Sequence, residues 1–206
     1  MLIRFCFSFF LLMYSAAVIA VECAAVFSDG IQNNSNSGEL IFGSGSKVTN
    51  SPDNILDSKN AIDDISGGVS CDSTTCSSSG SIASAVTYND FPNSSDDISV
   101  AFEQTQSISP GNYNNITLAS SATLNLAEGD YTVEGSLAVG SSSSINISGK
   151  VRIFVKNTIN FNSPTSINAG GTATDLLLYA KEDFNILSSA TVTAFVYSKQ
   201  DVTINS

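Results

Sequence analysis

From Tyr113 onward, apolar residues recur in short alternating pairs separated by small polar corners, and the same order of pairs returns several times. The leading pairs are Ile116/Leu118, Leu137/Val139, Ile159/Phe161, Phe184/Ile186 and Val202/Ile204. Their first members drift by roughly twenty-odd residues from unit to unit, the range of solenoid repeats. All but the last are followed by a corner such as Ala119-Ser120-Ser121 or Gly140-Ser141-Ser142. A second alternating pair comes next: Leu124/Leu126, Ile145/Ile147, Ile167/Ala169 and Val192/Ala194. A third run closes the unit plainly at Val151-Arg-Ile-Phe-Val155 and Leu176-Leu-Leu-Tyr-Ala180, and more weakly at Tyr131-Thr-Val133.

Two-residue alternation predicts strands, and the corners are too short to hold helices. The expected fold is therefore all-β: a right-handed parallel β-helix with about three short strands per rung. A single unit offers too few inward apolar side chains to offset the entropy of ordering its backbone. Stacked units share ladders and apolar columns, so stability is cooperative. The outward positions, mostly Asn, Thr, Ser, Ala and Asp, suit a solvated wall.

The start of the chain reads differently. Arg4 is followed by an uncharged apolar run, Phe5 to Ala20, that is too short for a membrane span and ends on the small residue Ala20. Residues 1–20 are read as a secretory signal peptide, which puts the rest in the periplasm, on the outer surface or outside the cell, with no membrane span after cleavage. Cys23 does not suit lipid attachment, because Glu22 stands where that motif wants a small residue.

Residues 21–110 are read as irregular rungs forming a cap, and 111–206 as the regular rungs. Within the former, Glu39-Leu-Ile-Phe42 and Lys47-Val-Thr49 resemble a first rung, Ile55-Leu56 and Ile82-Ala-Ser-Ala-Val86 further strands, and Asp63 to Gly80 a loop. The last pair, Val202/Ile204, begins a rung that nothing downstream completes, so an open parallel edge and a truncated chain are expected there.

Charge and residue type narrow the functional classes. Eight bases against 19 acids give a net charge of −11, without a basic cluster, which disfavours nucleic acid and anionic membranes as partners. There is no His, so triads built on imidazole are impossible and the commonest metal ligand is missing. No cofactor or metal is expected, and no calcium loop motif is present. Two carboxylates can still run glycosidase chemistry. Here the acids of the repeats, Glu128, Asp130, Glu134, Asp175, Glu182, Asp183 and Asp201, are scattered along the sequence.

The expectation is a noncatalytic protein, with a carbohydrate-active β-helix enzyme or a ligand- or ice-binding solenoid as alternatives. Arg152 alternates with Val151 and Ile153 and should point outward. Thr191-Val-Thr193 has the spacing of an ice-binding threonine pair, but Leu124-Asn-Leu126 and Ile145-Asn-Ile147 are expected to break its column. Few outward aromatics are expected, and Trp is absent, which weakens sugar binding by stacking. In an exported chain, Cys71 and Cys76 are expected to form a local disulfide, leaving Cys23 without a partner inside the mature chain.

Several stretches together carry a resemblance. They are Cys23-Ala-Ala-Val-Phe-Ser-Asp-Gly-Ile-Gln32, Asn50-Ser-Pro-Asp-Asn-Ile-Leu56, the Cys71/Cys76 loop, Val151 to Val155, and Ser166-Ile-Asn-Ala-Gly-Gly171 before Leu176. They resemble the amino-terminal region of MshQ-like proteins of the mannose-sensitive haemagglutinin (MSHA) type IV pilus of Gram-negative bacteria. The resemblance implies an exported protein of pilus biogenesis or surface adhesion. Its partners would be pilus or envelope proteins, or a surface glycan, and it brings no catalytic residues.

Overall fold

A computed structural model describes residues 31–33, 39–43, 47–48, 56–58, 62–64, 70–71 and 88–205. Its strands form three large parallel sheets that wrap one apolar core and a fourth of two strands, with a single short 3₁₀ turn at Ala173–Asp175. The chain visits the sheets in a fixed cycle. Sheet II takes the leading pairs: Ile98–Val100, Ile116–Leu118, Leu137–Val139, Ile159–Phe161, Phe184–Ile186 and Val202–Ile204. Sheet III takes the second pairs: Thr105–Ile108, Thr123–Leu126, Ser143–Ile147, Thr165–Ile167 and Thr191–Val192. Sheet I takes the third: Gly111–Tyr113, Gly129–Val133, Val151–Val155, Leu176–Ala180 and Phe195–Ser198. The molecule is thus a β-solenoid with about three short strands per rung, as the alternation predicts.

Inward residues stack in columns along the axis. In sheet II, Ile116, Leu137, Ile159 and Phe184 follow one another in register, and all are buried. In sheet III the column is Leu124, Ile145, Ile167. In sheet I it is Tyr131, Ile153, Leu178, Val196. Ala169, expected inward, is instead exposed: the strand ends at Ile167, and Asn168 turns the backbone left-handed at φ 52°. The buried Asn168 amide then donates to the Thr172 and Thr193 carbonyls, at 3.1 and 2.9 Å, fastening the longest corner of the solenoid.

The corner from sheet II to sheet III repeats one backbone solution. Glu103, Ser121, Ser142 and Ser189 all have φ 59°, while the fourth turn carries a cis Ser163-Pro164 bond there. A small residue follows each of these corners except the one at Glu103, and Ala122, Ser143 and Thr165 are buried. Ser143 bonds in two directions, its hydroxyl donating to the Ala119 carbonyl at 2.7 Å and accepting from the Ala122 N–H at 3.1 Å.

The order of stacking corrects the sequence reading. The described residues between 31 and 110 do not all lie at one end. Gly111–Tyr113 completes the rung that Ile98 begins, so regular rungs start at Ile98. The strands between 31 and 71 extend the opposite end of the stack. Ile31–Asn33 pairs in parallel with Val196–Ser198, and Leu40–Phe42 with Val202–Ile204.

The edge expected to lie open at Val202–Ile204 is therefore covered by the strand Leu40–Phe42. Leu56–Ser58 and Ile62–Asp64 add the next strands, and Lys47–Val48 pairs with Ser70–Cys71. The last two of these pairings place strands within the segment expected to be a loop. The proposed strand at 82–86 lies outside the described residues, as does the leader at 1–20.

The segment Tyr88 to Asp97 runs over the outside of sheet I: Tyr88 meets Phe154 and Tyr179, and Ser94 reaches Asn112 and Glu134.

Candidate functional site

The three outer faces are where this fold can meet anything else, and they differ in chemistry. On sheet I the outward columns are Thr132, Phe154, Tyr179, Tyr197 and Arg152, Leu177, Phe195. The expectation of few outward aromatics is wrong here. Alternation around inward Ile153 and Leu178 sends Phe154 and Tyr179 outward, and the parity of those two runs would have shown it.

These side chains are nonetheless buried. Tyr179 and Tyr197 stack at 5.1 Å, and Tyr88 from the segment outside sheet I lies on Phe154 at 4.0 Å. Phe91 packs edge-on against Tyr88, with Lys181 Nζ 5.9 Å from its ring centroid. The Tyr88 hydroxyl bonds Thr132 Oγ1 at 3.1 Å. Burial raises the Tyr179 phenol above its ordinary value.

Beyond this cluster, sheet I carries ion pairs between rungs. Arg152 points outward, as expected, and its guanidinium donates through two nitrogens to the Asp130 carboxylate, Nε at 2.6 Å. Lys156 Nζ lies 2.9 Å from Glu134 Oε1, and the other Glu134 oxygen accepts from the Ser94 N–H. The Lys156 bond chiefly holds the Glu134 carboxyl below its ordinary range.

The corner between sheets I and II is a polar chain. Asn115 Oδ1 accepts from the Ser136 N–H, and Ser136 and Thr158 share a hydroxyl contact at 3.3 Å. Asp183 accepts from the Asp201 N–H at 3.2 Å, and Asp201 from the Glu39 N–H at 2.7 Å. Asp175 accepts from Thr172 Oγ1 at 2.6 Å, beside the 3₁₀ turn. Asp130, Glu134, Asp175, Asp183 and Asp201 thus each bond a neighbour in the wall. Among the described residues no group of three or more Cys, Asp or Glu could hold a metal ion. No helix of the described residues is long and apolar enough to cross a membrane.

Sheet III has a third character. Its outward column in register with Thr191 reads Thr105, Thr123, Ser144, Ser166, Thr191. Leu124 and Ile145, expected to interrupt that column, point inward and are buried, one residue out of phase with it. Parallel to it run Ser107, Asn125 and Asn146, with Asn146 Nδ2 donating to Asn125 Oδ1 at 3.1 Å. Thr123 and Ser144 hydroxyls meet at 3.2 Å.

Of the presumed disulfide, the backbone of Cys71 lies in the strand Ser70–Cys71, and Cys76 lies outside the described residues, as does Cys23. A family model described as a domain of unknown function, DUF7305, matches residues 53–206. No curated protein and no solved structure matches the chain.

Proposed function

The chain belongs to the DUF7305 family, a domain of unknown function, and we propose that it is a noncatalytic, exported β-solenoid protein of type IV pilus biogenesis or cell-surface adhesion. The observation that supports this reading is the use to which the acids are put. Asp130 and Glu134 pair with Arg152 and Lys156 of the next rung, and Asp183 and Asp201 bond backbone amides of neighbouring turns. They serve as ties between rungs, so the solenoid offers long lateral walls to partners rather than a carboxylate pair facing a substrate. The apolar run at 5–20 and the resemblance to MshQ-like proteins are what suggest the cellular setting. On this reading Cys71 and Cys76 are joined, and the partners are pilus or envelope proteins or a surface glycan.

Fractionation tests the setting first. The chain is expressed with its own leader in a Gram-negative host and weighed intact, with and without reductant. A product lacking residues 1–20 that gains the mass of two hydrogens on reduction is expected outside the cytoplasm. An uncleaved, reduced cytoplasmic product would sink the proposal. Deleting the gene in its source bacterium should then lower surface pili or adherence, and unchanged counts of both would remove the pilus and adhesion role.

A further inference from the structure

The outer wall of sheet III is a two-column array of uncharged hydrogen-bonding groups. One column is Thr105, Thr123, Ser144, Ser166, Thr191; the second, two residues on, is Ser107, Asn125 and Asn146, and it ends where buried Asn168 turns the chain away after Ile167. Every pairing is one-to-one, so the first column stays in phase for five rungs and the second for three. The rise between paired strands is about 4.8 Å, and the two columns lie about 6.6 Å apart along the strand. Thr105, Ser107, Asn146 and Thr191 are exposed, while Thr123, Asn125, Ser144 and Ser166 are half-buried.

Charge sets this wall apart from sheet I, where Asp130 and Arg152 point outward; the strands of sheet II from Ile98 to Ile204 are uncharged too, but they present a single outward column. The chain carries 19 acids, yet none falls in the five strands of sheet III, which contain no base either. Aromatic rings are absent from the same strands, so a sugar would find no stacking platform. A periodic, uncharged, ring-free array complements a ligand that is itself periodic, neutral and rich in hydrogen-bonding sites. We propose that sheet III is an ice-binding face, matched to the surface of an ice crystal. The axial repeat of its hydroxyls lies close to the repeat of hexagonal ice along its a axis.

Two features prepare the face for that role. The three threonines are β-branched and have restricted χ1 rotamers, which fixes both hydroxyl and methyl group. The Thr123–Ser144 and Asn125–Asn146 contacts tie neighbouring rungs side chain to side chain. A charged residue would instead hold its own hydration shell and break the pattern. The proposal does not depend on export or on the pilus.

The test is ice-crystal shaping and thermal hysteresis of the full chain. The wild type should facet a seed crystal and open a gap between melting and freezing. Thr123→Tyr and Ser144→Tyr, each placing a bulky ring on the array, should lose most of that gap while keeping the far-ultraviolet circular dichroism of the parent. Thr117→Tyr, on the outer side of sheet II, should keep it. Unfaceted crystals with no gap for the wild type would overturn the proposal, as would a gap that survives both sheet III variants. Retention on insoluble cellulose or chitin without any effect on ice would also overturn it, in favour of a glycan.

Discussion

Thr165 and Gly140 show how narrowly single positions are set. Thr165 fills the inward corner site that Ser143 fills one rung earlier, but its buried Oγ1 has no hydrogen-bond partner among the described residues. A buried unpaired hydroxyl costs roughly 1–3 kcal/mol, so the near-isosteric Thr165→Val should raise stability by about 1 kcal/mol. Urea unfolding of the two proteins would read this as a higher midpoint at unchanged slope; a lower midpoint would mean the hydroxyl is satisfied in solution.

Gly140 is constrained from outside. A Cβ there would lie 2.7 Å from the Leu118 carbonyl oxygen and 2.8 Å from the Ala119 and Ser120 backbone. Because backbone cannot swing aside, Gly140→Ala should cost about 1–3 kcal/mol or more. The same urea series would show it as an early transition. Tyr131 sets an alkaline limit. Fully buried, with its hydroxyl donating to the Ala127 and Ile108 carbonyls, it has its phenol pushed up to about 12.

The sign follows from linkage. The unfolded chain ionises this phenol near the ordinary 10.0 while the folded chain keeps it neutral. Its contribution is therefore whole below that value and fades as pH rises through the folded one. Stability should fall above about pH 10, and tyrosinate absorbance should rise later in the native protein than in urea. Coincident titrations of the two states would contradict the burial.

At the scale of elements, the strap from Tyr88 to Asp97 is the piece whose position tests the packing of sheet I. Tyr88 covers Phe154 and Phe91 covers Tyr88, so Phe91→Ala and Tyr88→Ala should each cost about 1–3 kcal/mol. They should also increase binding of a hydrophobic dye, because the aromatic wall beneath is uncovered. Loss of stability without dye binding would mean the strap is held elsewhere, for instance through Ser94 at Glu134 and Asn112.

The strands themselves were legible in the sequence, because inward pairs such as Ile159/Phe161 alternate against Asn and Ser. What alternation along one strand did not give was the comparison across rungs. Thr191 was set against Leu124, whereas its true column-mates are Ser166, Ser144 and Thr123, one residue away in phase. A one-residue shift moves a side chain to the opposite face. The same parity, applied to Val151–Val155 and Leu176–Ala180, places Phe154 and Tyr179 outside, where the sequence reading expected few rings.

At the scale of the whole molecule, the stack does not follow chain order. The strands between 31 and 71 continue the solenoid beyond Phe195–Ser198 and Val202–Ile204, and Leu40, Ile41 and Phe42 pair with Val202, Thr203 and Ile204. Local pattern could not reveal this. Leu40-Ile-Phe42 fits any rung edge of the same cross-section, and only the edge left uncovered by the rest of the chain decides where it docks. Two ties reinforce the junction: the Glu39 N–H donates to Asp201 Oδ1 at 2.7 Å, and the Val202 N–H to the Glu39 carbonyl at 3.0 Å.

Such long-range pairings close large loops, so this junction should form late in folding. Ile41 and Thr203 lie opposite one another on the outward side of sheet II. Adjacent strands bring opposed Cα atoms within the roughly 4.4–6.8 Å that a disulfide spans. The double variant Ile41→Cys/Thr203→Cys should therefore oxidise within one molecule. Proteolysis and mass spectrometry would detect a linked pair of peptides, one from each end of the chain, in protein that runs as a monomer without reductant. Linked dimers would mean that the strand Leu40–Phe42 is exchanged between copies. Two unlinked thiols would mean that the edge at Val202–Ile204 is not where the amino-terminal strands dock.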